Sequence, residues 1–64
     1  MIMSANNYIL ISRKDDDYLV EDRDAETDGV HTVITCTKKL EDAIHMASLY
    51  RDENDVEYGL QIRL

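Results

Sequence analysis

The stretch Thr37-Lys-Lys-Leu-Glu-Asp-Ala-Ile-His-Met-Ala-Ser-Leu-Tyr-Arg-Asp52 decides the fold, because it is the one segment long and periodic enough to be a helix. Leu40, Ala43, Ile44, Ala47 and Tyr50 recur at helical spacing and line one side, while Glu41, His45, Ser48 and Asp52 line the other. Thr37 stands where an N-cap hydroxyl belongs. Glu41 and Asp42 fall in the first turn, where the helix dipole favours negative charge, and Arg51 stands near the far end. A half-buried helix needs a surface to lie on, and the segments around it read as strand or turn. The expectation is a small sheet with one helix on one face.

Immediately before the helix, Val30-His-Thr-Val-Ile-Thr-Cys36 has strand composition, and before that Arg23-Asp-Ala-Glu-Thr-Asp-Gly29 has turn composition, with Gly29 available for a positive φ. Tyr8-Ile-Leu-Ile-Ser-Arg13 is a β-branched, apolar run suited to a central strand covered on both faces. Lys14-Asp-Asp-Asp17 is a polar break of hairpin length, and Tyr18-Leu-Val-Glu-Asp22 returns antiparallel. Beyond the helix, Val56, Tyr58, Leu60, Ile62 and Leu64 alternate with Glu57, Gln61 and Arg63, the pattern of a strand with one dry face. The predicted fold is α+β, one domain over residues 1–64 with a loose start at 1–6. Its order is strand, strand, strand, helix, strand in a mostly antiparallel sheet. A right-handed crossover would lay the last strand parallel to the first or third. The expected core is Leu10, Val20, Ile34, Leu40, Ile44, Ala47, Tyr58, Leu60 and Ile62.

A chain of 64 residues buries only about 60% of the surface its unfolded form exposes, which argues against a deep catalytic cleft. The single cysteine, Cys36, cannot form an internal disulfide, and Met1-Ile-Met-Ser-Ala lacks the basic start and apolar run of a signal peptide. The expected location is the cytoplasm of a host cell. No apolar run approaches the roughly 20 residues needed to span a bilayer. Fourteen acidic residues against seven basic give a formal charge of -7, which would repel nucleic acid and anionic membranes alike. A basic protein is the complementary partner. One helix covers one sheet face, so the apolar residues of the first strand's other parity call for a further cover, a second copy of the chain among the candidates.

His31, Cys36 and His45 are the candidates for soft metal ligation or nucleophilic chemistry, and their spacing matches neither a zinc site nor a nucleophile with its base. No enzymatic activity, cofactor or metal is expected. Asp24-Ala-Glu-Thr-Asp-Gly29 imitates the opening of a calcium loop, but Thr35 occupies the twelfth position, where a bidentate glutamate belongs, so the plain reading is a solvated acidic turn. The acids themselves are unevenly placed. Asp15, Asp16, Asp17, Glu21, Asp22, Asp24, Glu26 and Asp28 form one run, and Asp52, Glu53, Asp55 and Glu57 a second. They suit solubility and the protection of sheet edges, and they equally suit an anionic surface that occupies a protein's nucleic-acid groove. These twelve residues are the candidate partner-binding set.

Tyr8 opens the first strand, Asp15 to Asp17 make an acidic turn, Tyr18 opens the second strand, an acidic loop closes on Gly29, and Thr37-Lys-Lys-Leu-Glu-Asp-Ala-Ile starts the helix. Over Tyr8 to Tyr50 this resembles the N-terminal domain of the HicB antitoxin family, whose helix starts Thr-Leu-Glu-Glu-Ala. The resemblance implies this strand order and a small basic RNase toxin as partner. Two departures stand out: no proline-glycine loop precedes the third strand, and no DNA-binding module follows Leu64. In size and charge the chain is also similar to small phage-encoded anti-CRISPR proteins that mimic DNA, for which the partner would be a CRISPR effector. The leading expectation is a non-enzymatic, anti-defence inhibitor of a basic nucleic-acid-handling protein. A HicB-like antitoxin comes second, and a small structural or dimeric protein without an inhibitory role third.

Overall fold

The computed structural model describes residues 6–64, so the expected loose start lies outside the described residues except at Asn6. Four strands and one helix follow in order: β1 (Asn7–Lys14), β2 (Asp17–Asp24), β3 (Val30–Thr37), α1 (Leu40–Glu53) and β4 (Leu60–Arg63). The fold is α+β, a four-stranded mixed sheet in the order β3-β2-β1-β4 with the helix packed against it. β1 pairs antiparallel with β2, and β2 with β3, while β4 lies parallel to β1, one of the two placements the crossover allowed.

Local chemistry explains the connections. Lys14 stands opposite Asp17, which leaves Asp15 and Asp16 as a two-residue hairpin turn. Asp15 takes φ 56°, a positive angle that a short acidic side chain tolerates better than most. At the other end of β2, Asp28 has φ 65°, whereas Gly29, the residue singled out from sequence, does not. There the Asp24 carboxylate accepts the N–H groups of Glu26 (2.7 Å) and Thr27 (3.0 Å), an Asx turn that closes the loop without needing the glycine's freedom. The helix begins two residues later than expected: Lys39 rather than Thr37 is the N-cap and contributes no side-chain cap, while the Thr37 hydroxyl donates to Lys39 O at 2.9 Å. Glu41 and Asp42 do fall in its first turn and Arg51 in its last.

Alternation along β1 and β2 sorts their side chains between two faces. Ile9, Ile11 and Val20 face the helix and are fully buried beneath Ala43 and Ala47, with Tyr18, Ile34, Leu40, Tyr50, Val56 and Leu60 packed around them. Two alanines at the contact let the helix sit close to the sheet. Tyr8 and Leu10, of the opposite parity, are also buried, so β1 is dry on both faces as its unbroken apolar run suggested.

Three expected core residues are not in the core. Ile44 is 36% exposed, Ile62 47% and Tyr58 58%. The reasons are geometric. Ile44 lies to the side of the line that Ala43, Ala47 and Tyr50 draw along the sheet. The helix packs over β1, β2 and β3, which leaves Ile62 on β4 outside its cover. Tyr58 precedes Gly59, whose φ of 75° turns the chain, so the regular strand is Leu60–Arg63 and not the whole alternating segment. Ile9 and Ile11, rather than Leu10, meet the helix.

Ile11→Ala is therefore expected to cost about 2–5 kcal/mol of folding stability, the range for a fully buried aliphatic side chain. Ile62→Ala should cost about 1 kcal/mol or less in dilute solution, since only part of its surface leaves water within the single chain. Urea denaturation of the two variants checks this, and equal losses would contradict the placement of β4 outside the helix's cover.

Candidate functional site

Strand direction decides where the acidic residues go. β2 runs from the hairpin turn to the β2–β3 loop, so its eight residues carry the first acidic run from one end of the molecule to the other. Asp15, Asp16 and Asp17 stay at the hairpin end, where Arg13, Lys14, Lys38 and Lys39 also lie, and the Lys38 ammonium is 2.9 Å from Asp17. That contact holds the Asp17 carboxyl below the usual range and raises Lys38. With Glu41 and Asp42 of the first helical turn, this end carries five acidic residues against four basic ones. The rest of the chain carries nine against three.

The opposite end is built where the β2–β3 loop, the start of β1 and the α1–β4 connection meet. Asn7 and Asp22, both buried, hold them together. The Asn7 amide donates to Asp22 Oδ1 at 2.9 Å, and the Tyr50 hydroxyl donates to Asp22 Oδ2 at 2.6 Å. Asn7 Oδ1 accepts the Glu57 N–H at 3.2 Å, its backbone carbonyl accepts the Tyr58 N–H at 3.0 Å, and the Asn6 carbonyl accepts the Ala25 N–H at 2.9 Å. His31 approaches the same group, with Nδ1 3.9 Å from Asp22 and Nε2 3.5 Å from Asp24. Backbone donors from Thr27 and Glu26 lower the Asp24 carboxyl below its ordinary value.

On the sheet face away from the helix a second polar network runs across the strands. The Arg23 guanidinium donates to Glu21 Oε1 (3.2 and 3.0 Å) and to the Asp28 carbonyl (3.0 Å). The Asp28 carboxylate accepts the Tyr8 hydroxyl and lies 3.5 Å from Arg63. Arg63 also sits 5.8 Å from the centre of the Tyr8 ring, a cation–π arrangement. Beside this network an open cavity of about 510 Å³ is lined by Asn6, Tyr8, Ala25, Glu26, Asp28, Tyr58, Gln61 and Arg63. The neighbouring Glu57 carboxylate raises the Tyr58 phenol above its ordinary value, and Glu26 adds to the effect by its charge.

The twelve candidate residues thus divide. Asp17, Glu21, Asp22, Asp24 and Asp28 are engaged within the molecule, and Glu21 and Asp22 are buried besides. Asp15 and Asp16 are exposed at the hairpin turn. Glu26, Asp52, Glu53, Asp55 and Glu57 are exposed around the opposite end, drawn from the β2–β3 loop and, far away in sequence, from the end of the helix and the α1–β4 connection. The first run is therefore not one ridge, because its middle is spent on internal bonds and its two ends point apart. Asn7, Tyr50, Tyr58 and Arg63 escaped the sequence reading as parts of this end. Asn7, on the apolar Tyr8-Ile-Leu-Ile strand, was the available signal. His31 and Cys36 lie at opposite ends of β3, and His45 is on the exposed side of the helix. Among the described residues no group of three or more His, Cys, Asp or Glu side chains is placed to hold a metal ion, and no helix is long and apolar enough to cross a membrane. No family model, curated protein or solved structure matches this chain.

The Tyr50 phenol gives this end a pH signature. Its hydrogen bond to Asp22, then burial and the charge of Asp22, push it up from 10.0 to about 12. A value raised by folding means that the protonated phenol is favoured in the folded state. Its contribution is whole below pH 10 and is lost as pH climbs from about 10 towards about 12. Tyr50→Phe should lower stability at neutral pH by about 1–3 kcal/mol, since it leaves Asp22 short of a donor. The difference between parent and variant should shrink across that alkaline window, as read from urea midpoints. A constant difference would mean that the phenol and Asp22 are not bonded in solution.

Proposed function

We propose that the protein is a non-enzymatic inhibitor that binds a basic nucleic-acid-handling protein in the host cytoplasm and occupies its nucleic-acid site. One observation carries this reading: Glu26, Asp52, Glu53, Asp55 and Glu57 are exposed together at one end, on the last turn of the helix and on two loops tied to Asn6 and Asn7, while the basic residues of the hairpin end lie away from them. A groove that binds phosphates presents lysine and arginine at intervals along a surface, and carboxylates held on anchored loops answer them without being ordered at the moment of binding. Tyr58 and Glu26 at the mouth of the cavity offer a ring and a charge to one incoming basic side chain. The acids engaged within the fold, Glu21, Asp22 and Asp28, belong to its construction and not to this surface. An anti-defence role against an RNA-guided effector is the leading form of the proposal.

A second form, an antitoxin that covers a small basic RNase, is supported by the element order, with the helix between the third and fourth strands as the HicB resemblance implies. Coexpression in bacteria separates the two forms. Restored plaquing against an effector complex supports the first, and rescue from an RNase toxin supports the second.

In either case the variant Glu26→Gln, Asp52→Asn, Glu53→Gln, Asp55→Asn, Glu57→Gln should bind the partner at least about tenfold more weakly at low salt. It should also show a flatter salt dependence and poorer competition with the partner's nucleic acid. Single exposed carboxylates contribute only about 0–1 kcal/mol each, so the whole group must be changed. Asp15→Asn with Asp16→Asn should change binding by less than about threefold. Parent-like binding of the fivefold variant at every ionic strength, measured by fluorescence anisotropy competition, would sink the proposal.

A further inference from the structure

The sheet ends on two open edges, β3 and β4, and they differ. The β2–β3 register shifts twice, between Val20 and Glu21 and between Asp22 and Arg23, and such bulges twist an edge out of line for further pairing. β4 pairs with β1 without a shift, from Ile9 opposite Leu60 to Ser12 opposite Arg63. Ile9 donates its N–H to the Gly59 carbonyl at 2.9 Å. By the alternation of a parallel ladder, Gly59, Gln61 and Arg63 therefore turn their peptide groups towards β1, and Leu60 and Ile62 turn theirs outward. Among the described residues nothing pairs with them there.

The side chains of these outward-bonding residues lie on the helix side of the sheet; Leu60 packs partly against the core, whereas Ile62 and then Leu64 lie beyond the helix's cover, 47% and 66% exposed. The segment Leu60-Gln-Ile-Arg-Leu64 also reads alike in both directions from Ile62: polar neighbours, then leucine. A two-fold axis through an antiparallel strand pair at Ile62 sets each residue before it against the equally distant residue after it in the other copy, so this pattern places leucine opposite leucine.

We propose that β4 is a dimerisation edge, along which a second copy of this chain pairs antiparallel with Ile62 at the two-fold axis. Ile62 then faces its own counterpart, and Leu60 faces the second copy's Leu64. These are the residues whose peptide groups point outward, so the register that matches apolar side chains is also the one that can form hydrogen bonds. On the other face Gln61 meets the second copy's Arg63. The result is one eight-stranded sheet with both helices on the same side and an apolar strip in the channel between them. Charge, which at -7 per chain opposes self-association, selects the same arrangement. β4 starts at the acid-rich end, next to Asp55 and Glu57, so antiparallel pairing sends the two acidic ends to opposite extremes of the dimer. The proposal is independent of what those acidic ends bind.

Sedimentation equilibrium over about a hundredfold range of concentration should show a monomer–dimer equilibrium, as mass action requires. Ile62→Asp sets two like charges face to face and should raise the dissociation constant more than about tenfold. Ile62→Pro removes an outward N–H without touching a bond to β1, and should do the same. Val33→Asp, on the β3 edge, should leave it unchanged. Circular dichroism establishes that each variant is folded. A cross-linking arm serves if the charged variant is not. In a Cys36→Ser background, Ile62→Cys should oxidise to a covalent dimer, because directly opposed hydrogen-bonded residues have Cα atoms about 5.5 Å apart, within disulfide range. Val33→Cys in the same background should not. A parent that stays monomeric throughout, a dimer indifferent to Ile62→Asp, or cross-linking at Val33 in preference to Ile62 would overturn the proposal.

Discussion

The carboxylate of Asp22 is the point on which this small fold turns. A charge held away from water is costly unless donors replace the lost hydration, and here Asn7 and Tyr50 supply them from two different elements. Asn7 passes the constraint on by gripping the chain at Glu57 and Tyr58. One buried ion pairs β2 with β1, fixes the last turns of the helix over the sheet, and sets where the α1–β4 connection begins its return. The apolar contacts of Ile9, Ile11, Val20, Ala43 and Ala47 would tolerate a helix slid along the sheet. The bonds to Asp22 would not.

The same constraint explains the charge distribution. Segments that carry five exposed carboxylates repel one another, and they lie together because the loops among them are tied to Asn6 and Asn7 by hydrogen bonds. Opposing the repulsion costs stability, and the cost is met within the same end by Asp24 binding its own loop and by Arg23 and Arg63 closing on Glu21 and Asp28. The hairpin end shows the contrast: its acids stand among four basic residues, and Asp17 is already occupied by Lys38.

Most of the architecture was legible from residue pattern. The apolar run Tyr8-Ile-Leu-Ile announced a strand dry on both faces, the helical period of Leu40, Ala43, Ala47 and Tyr50 marked the face that meets the sheet, and the hairpin and crossover followed from length. The failures come from what a pattern leaves out. Periodicity tells which side of an element is apolar, but not how far its neighbour reaches, so Ile62 and Tyr58 looked like core although the helix stops short of them. For the candidate site, composition could identify acidic residues but could not tell which are spent inside. Glu21 and Asp22 are adjacent on a strand and therefore point to opposite faces, one into each polar network, and nothing about their letters distinguishes them from Asp15 and Asp16. Asn7 in an apolar strand was the one residue whose oddity could have been weighed, because a buried amide implies partners.

The parallel placement of β4 beside β1 also matters in time. β2 follows β1 after a two-residue turn and can find it early, whereas the bond from Glu57 to Asn7 spans 50 positions. Closing a loop that long carries an entropic penalty that must be met before any contact rewards it, and chains dominated by such contacts fold slowly. On topology alone, docking of β4 is expected after the β1–β2 hairpin. Until it docks, the second edge of β1 stands open beside Ile9 and Ile11, the stickiest surface the chain possesses. A freshly made molecule passes through an interval in which its risk of aggregation is set by how quickly the helix crossover brings those last residues home.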